Sequence, residues 1–394
     1  MTTEERMKGL DALQNRGRLE PNWKQVAAFV GLTFAVTYLL DLGLYLTVGY
    51  AKHPATTMLL QVQMMLPAAV AILLQLLVFR NSPLYHLKEP ARWFFTFYLA
   101  YTLICLGLAV SVILVPDTGW STVARLAVLA LGLVGLLVAV ILRLVAGRES
   151  FRRVGLAGGK VWQYLLYGLL VVLIYGAMTA LNALFGLGQA VDIRELLAQA
   201  GGAQAEALAK VPGSVPLLLT GIQAVLLGPF LGLLISFGEE YGWRGYLQSE
   251  LVKMGKVRGL VLLGVIWGLW HAPIIAMGHN YPGYPVLGIL IMTLYTVELA
   301  FFLGYAVFKS GSPWLAAFLH AVNNQTAAFL IATVYTPADP VFSFGAGIYG
   351  VAVWAVVVAG LFLFDRKTWR SPLTAEQVAI PIDMEGAPAG SAAT

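Results

Sequence analysis

The sequence predicts an all-α fold: a polytopic membrane helix bundle of about ten transmembrane helices, with both termini cytoplasmic. Three observations carry that prediction. Hydrophobic residues make up 59% of the 394 and charged residues only 11%, whereas a soluble domain averages about 45–50% and about 25%. Ten separate stretches are apolar over span length, which takes about 20 residues each. The basic residues fall almost entirely on alternate connections. Such a composition excludes an ordinary soluble enzyme, a disordered chain and a nucleic-acid-binding domain. A net charge of +5 on so apolar a chain points to basic loops beside an anionic membrane surface.

The first 24 residues are polar and read as a cytoplasmic tail. The apolar run that follows, 25–48, has full span length and reads as a retained anchor, not a cleaved signal. The second span, 57–79, stops at Asn81-Ser82-Pro83, and the third, 93–115, stops at Pro116-Asp117. Both are turn punctuation. Spans 123–146 and 162–187 complete an N-terminal five-helix region over 25–187. Residues 188–214 form an Ala-rich external loop with room for a short surface helix. Spans 215–237, 258–278, 286–308, 313–335 and 343–364 make a second membrane domain over 215–365, with Tyr281-Pro282-Gly283 after the seventh span. Residues 366–394, ending GAPAGSAAT, read as a disordered cytoplasmic tail. No internal repeat of 20–50 residues is visible. Cys105 is the sole cysteine, so no disulfide framework is available. Trp93, Trp120, Trp162 and Trp369 sit near span ends and fit interfacial belts.

Loop charge sets the orientation. With the N-terminus inside, 21 of the 25 Lys and Arg lie on cytoplasmic segments, the exceptions being Lys52, Arg125, Arg194 and Lys210. One span more or fewer would invert the later loops and spoil the sorting. The expected location is a prokaryotic plasma membrane, with membrane lipids as the constant partners.

Ionisable groups inside spans cost roughly 2.5–3.5 kcal/mol each and so mark functional candidates. They are Asp41, Glu239, Glu240, Arg244, His271, Glu298 and His320. Asp41 reads as structural, while Glu298 reads equally as a cavity wall or as a bond to a neighbouring helix. On a helix, Glu240 and Arg244 are four apart and suit an ion pair. Glu239 lies about 100° round and has no local cation, which leaves its carboxylate free as a general base. His320 and Asn324 project from one face, four residues apart, as adjacent hydrogen-bonding groups. Taken singly, each has a bland reading: a helix start, a satisfied core histidine, interhelical polar glue. The combination on three spans, with no compensating Lys, is much harder to explain that way.

Glu239-Glu240-x-x-x-Arg244, Trp267-x-x-x-His271 and His320-x-x-x-Asn324 resemble, in order, the three motifs of the CAAX protease and bacteriocin-processing (CPBP, or Abi) intramembrane proteases. These are relatives of the type II CAAX prenyl endopeptidase. The approach from Gly304-Tyr305 through Ser310-Gly311-Ser312-Pro313-Trp314 is similar too, and the resemblance covers roughly 215–365. Trp267 departs from the pattern, which usually has Phe there, but keeps an aromatic ring beside the site. The resemblance implies an endopeptidase acting on a membrane-associated or lipidated (CAAX-like) peptide in a cavity open to the cytoplasmic side. Glu239 and His271 would activate water, His320 and Asn324 would donate to the oxyanion, and Glu240 with Arg244 would hold the helix.

Glu239, His271 and His320 are also a possible zinc set with an open position. There is no His-Glu-x-x-His, however, and the other histidines, His53, His86 and His279, lie in loops or at a span end. The expectation is a metal-free, glutamate-dependent site. Two other readings are a proton-coupled transporter, for which no inverted repeat is visible, and a membrane protein giving self-immunity to a bacteriocin. One geometric difficulty stands out. Glu239 falls at the cytoplasmic end of its span, whereas His271 lies about 20 Å along a helix starting at Arg258. Either the seventh helix starts nearer the surface or the glutamates are drawn inward. GxxxG spacings at 228/232, 238/242 and 264/268 allow the close packing this needs.

Overall fold

The computed structural model describes residues 20–50, 53–79, 82–86, 90–115, 118–339, 341–342 and 345–380. The N-terminal region comprises α1 (Trp23–Thr47), α2 (Pro54–Leu73, prolonged as a π-helix to Val78), α3 (Ala91–Leu114), α4 (Thr118–Arg153) and α5 (Val161–Leu184). After α6 (Ser214–Leu231) come α7 (Leu233–Glu240), α8 (Lys256–Trp270), α9 (Ala272–Ala276), α10 (Pro285–Ser310), α11 (Pro313–Thr333), α12 (Ile348–Phe364) and α13 (Arg366–Arg370). Among the described residues, eight helices, α1 to α6, α10 and α11, are long and apolar enough to cross a membrane. The protein is thus an all-α, multi-pass membrane bundle.

Two of the ten expected spans are shorter helices. The seventh splits because α8 stops at Trp270, His271 forms a turn, and Pro273 opens α9, where a missing N–H is tolerated. The tenth begins only at Ile348 and runs 17 residues. Elsewhere the boundaries follow local chemistry. Gly311 ends α10 in the left-handed region (φ 65°), Ser312 accepts from the Leu315 N–H at 3.1 Å, and Pro313 starts α11. This Gly-cap, Ser-cap, Pro sequence makes a tight helix–helix hairpin.

The 188–214 loop holds two short helices, Ile193–Ala200 and Ala203–Ala209, and a strand, β1 (Gly188–Ala190). β1 pairs antiparallel with β2 (Tyr335–Pro337). The two ends of the bundle are therefore distinct. At the strand end, the Tyr335 hydroxyl donates to the Asn182 carbonyl at 3.1 Å, and Tyr50 bonds His279 Nδ1 at 2.6 Å. The opposite end gathers the basic residues: Lys256 Nζ donates to the Thr368 carbonyl at 2.7 Å and Lys309 pairs with Asp365 at 2.9 Å.

The C-terminal segment differs from expectation. Residues 366–380 are folded, and Val378, Ala379 and Ile380 are buried, with the Ile380 N–H on Ser249 Oγ at 3.3 Å. The short apolar stretch packs over the basic end instead of fraying. The polar tail over 1–19 and the tail over 381–394 lie outside the described residues.

Small residues set the packing around the site. A Cβ on Gly268 would lie 2.5 Å from Thr293 Cα, and one on Gly242 2.5 Å from Pro67 Cβ. The 264/268 and 238/242 spacings therefore let α8 close on α10, and the start of the π-helix after α7 close on α2. At 228/232 only Gly228 meets another helix, through the Gln325 side chain. α7 packs against both α2 and α11, which scarcely touch each other.

Candidate active site

α7 does not stop at the membrane surface. It continues as a π-helix over Tyr241–Leu247 and a further turn, Gln248–Leu251, and every residue from Ser236 to Val252 is buried. Glu239 thus lies twelve residues before Leu251, about 18 Å of helix. His271 lies fifteen residues beyond Lys256, about 22 Å. The glutamates are drawn inward, and the two groups reach similar depth.

Trp267 organises the centre. Its indole Nε1–H donates to Glu239 Oε2 at 2.6 Å, and its carbonyl takes a hydrogen bond from His271 Nδ1 at 2.8 Å. The Arg244 guanidinium lies over its ring, with Cζ 4.0 Å from the centroid, a cation–π contact. The His320 ring meets it edge-on at 5.7 Å. A carbonyl can only accept, so His271 Nδ1 carries the proton and the neutral ring keeps a lone pair on Nε2. Neither that nitrogen nor Glu239 Oε1 has a hydrogen-bond partner among the described residues.

Glu240 Oε1 accepts from Arg244 Nη1 at 3.0 Å, the spacing-predicted ion pair, and both side chains are fully buried. The same oxygen accepts from His320 Nδ1 at 2.8 Å, so α7 and α11 are joined by a histidine–carboxylate bond. His320 is therefore committed through Nδ1, and only its Nε2 remains for other work.

Asn324 is exposed, and its Oδ1 accepts from Asn323 Nδ2 at 3.1 Å. Its own N–H donors have no partner among the described residues. Asn323 is itself buried in a three-residue network. Its Oδ1 accepts from the Tyr175 hydroxyl at 2.9 Å and the Tyr295 hydroxyl at 3.2 Å, and the two hydroxyls lie 2.9 Å apart. Tyr175, Tyr295 and Asn323 escaped the sequence reading. Their pairings cross three helices, and the one local signal was the doubled Asn323-Asn324.

A cavity of about 430 Å³ joins these groups; Glu239, Trp267, His271, His320 and Asn324 all line it. Its other walls include Gln63 of α2 and Tyr295 of α10. Toward the strand end it is bordered by His279, Asn280, Pro337 and Gly345–Gly347. Burial lowers the pKa of His279, in the loop beyond α9, to about 4, so this rim residue is neutral near pH 7. Asn280 takes a left-handed φ of 60°, which Asn tolerates. Of the buried segment 236–252, only Glu239 lines the cavity.

Glu298 does not fit the cavity reading. It is half-buried, absent from the lining, and its Oε2 has no partner. The cavity face of α10 carries Met292, Tyr295, Thr296 and Leu299 instead. Asp41 is buried on α1, also with an unpartnered Oδ2; beside it Thr37 and Tyr38 bond Trp270 Nε1 and the Leu269 carbonyl, both at 2.8 Å. Glu239 Oε2, His271 Nδ1 and His320 Nδ1 are engaged by Trp267 and Glu240, which leaves one oxygen or nitrogen on each of the three side chains open toward the cavity they line.

Residues 221–326 match the type II CAAX prenyl endopeptidase Rce1-like family model, a stretch that contains all three motifs. A 53-residue segment is 40% identical to CAAX prenyl protease 2 of Methanococcus maripaludis, covering 13% of this chain and 20% of that protein. The match thus spans about a fifth of the curated relative's length. No solved structure matches the chain significantly.

Proposed function

We propose that the chain is an intramembrane endopeptidase that hydrolyses a peptide bond of a membrane-associated or lipidated, CAAX-like peptide, using glutamate- and histidine-activated water. One observation carries the reading: Glu239 Oε1 and His271 Nε2 line one cavity, each with its other polar atom held by Trp267. A water between them has an acceptor on either side. Glu239 takes its proton as the water oxygen bonds the scissile carbonyl carbon. The carbonyl oxygen becomes an oxyanion, for which the Asn324 amide supplies a free N–H. His320 donates there through Nε2 as the imidazolium, with Glu240 as counter-charge on Nδ1. When the C–N bond breaks, the proton passes from Glu239 to the leaving amine. His271 shares the water and its proton. Side chains alone balance this scheme, and it needs no cofactor.

The resemblance and the loop charges assign opposite faces to the cavity mouth. The family pattern implies a cytoplasmic opening, whereas the cavity is bordered by loops at the end away from the basic residues. We take the charge rule, because it rests on most of the Lys and Arg in the chain. The peptide is then presented from the extracytoplasmic side of a prokaryotic plasma membrane. In a Cys105→Ala background, Asn280→Cys should react with an impermeant maleimide in intact cells, and Arg258→Cys only after permeabilisation. The reverse pattern returns the mouth to the cytoplasm.

Comparative analysis of peptide termini in cells carrying the unmutated protein or Glu239→Gln tests the activity. Accumulation of an uncut precursor with Glu239→Gln supports the reading and names the substrate. Identical termini in both would exclude it.

A further inference from the structure

A second cavity, about 480 Å³, lies on the other side of the gap between α2 and α11. It is lined by Arg125 of α4, Gln61 of α2, Gln223 and Thr220 of α6, and Gln325 of α11. Arg125 lies seven residues into α4 and is exposed at the mouth of this crevice. Its one hydrogen bond within the described residues is a 3.5 Å contact with Thr122 Oγ1 of its own helix. None of the lining residues is acidic, and the Gln61, Gln223 and Gln325 amides are unpartnered among the described residues.

The two cavities are adjacent by sequence as well as by wall. Gln61 follows Leu60 and Gln325 follows Asn324, where the second member of each pair named lines the catalytic cavity; Ile235, also in the second cavity, is one helical turn before Glu239. α7 packs between α2 and α11 and contributes to both linings, Glu239 to the catalytic cavity and Ile235 to the second.

We propose that this crevice is an anion subsite for a carboxylate or phosphate group, held by the Arg125 guanidinium with the glutamine amides as additional donors. A guanidinium matches either anion through paired N–H bonds, and the glutamines satisfy the oxygens left over. The anion comes either from the free C-terminus of a substrate peptide or from a lipid headgroup. The peptide source rests on the endopeptidase reading, and the lipid source does not.

The test uses the full chain in nanodiscs. Binding of a fluorescent, palmitoylated tetrapeptide, as free acid and as C-terminal amide, is measured on Glu239→Gln protein with Arg125, Arg125→Gln or Arg125→Lys. Retained phosphatidylglycerol is measured by native mass spectrometry on the same Arg125 variants without the Glu239 change. Loss of about tenfold or more in free-acid affinity with Arg125→Gln, partial retention with Arg125→Lys and no change for the amide identify a peptide carboxylate. Loss of phosphatidylglycerol at unchanged peptide affinity identifies a lipid phosphate. Unchanged values in both arms overturn the subsite. Cleavage of no peptide by the unmutated protein, with phosphatidylglycerol still lost in Arg125→Gln, would sink the endopeptidase reading and leave the subsite standing.

Discussion

α2 and α4 belong to the same N-terminal region yet live in different surroundings. Of the membrane-crossing window, 67% is buried in α2 and 17% in α4. α10 and α11, which carry Tyr295, His320 and Asn324, resemble α2, at 56% and 50%. Lipid is as apolar as leucine, so burial in a membrane bundle goes to helices with small and polar surfaces, not to the greasiest ones. α2 offers Gln63, Gln75 and the Pro67 face on which Gly242 packs; α4 offers mainly Leu, Val and Ala. The N-terminal region therefore divides into a lipid-facing coat and a wall of the site, built by α2 with Tyr175 of α5.

That division can be broken or sharpened experimentally. Glu239→Gln should lower cleavage of a tethered peptide by about 10²–10⁴-fold with little change in thermal stability, because the Trp267 indole can still donate to the amide oxygen. Arg244→Met leaves the buried Glu240 carboxylate without its guanidinium and should cost about 3–5 kcal/mol in stability, read as a lowered unfolding temperature. Gly242→Ala drives a methyl into Pro67 and should cost about 1–3 kcal/mol; an unchanged melting temperature would remove α2 from the site's framework. His279 has a pKa below its unfolded value of about 6.5, lowered to about 4 by burial. Its contribution is complete above pH 6.5 and is lost as the pH falls toward 4. His279→Asn should flatten that part of a stability–pH profile. On the coat, Leu137→Ala, at an exposed position of α4, should change stability and cleavage by less than about 0.5 kcal/mol.

The local part of the site was legible in the sequence. Glu240 and Arg244 pair because four residues make one helical turn, and the three motifs meet because each sits on its own helix beside a common cavity. What was not legible depends on distances between helices. The bond from His320 to Glu240 spans 80 residues, and no spacing rule reports it. Trp267 looked like a tolerated replacement for Phe, yet its N–H holds the catalytic candidate carboxylate, a role Phe has no atom to fill. The boundary of the sixth span misled because apolarity ends near Phe237 while burial continues to Val252, sustained by Trp243, Tyr246 and the internal ion pair. Hydropathy measures preference for lipid, and this segment is surrounded by protein.

The α7 continuation is buried from Ser236 to Val252 and adds only Glu239 to the lining of the candidate cavity, so the basic end of that cavity is its floor. If cleavage fragments cannot leave through that floor, they leave the way the uncut peptide arrived. Fragment and substrate then contend for the same passage. Steady-state kinetics should show competitive inhibition by the released fragment, and a burst of cleavage in the first turnover would mark release as the slow step.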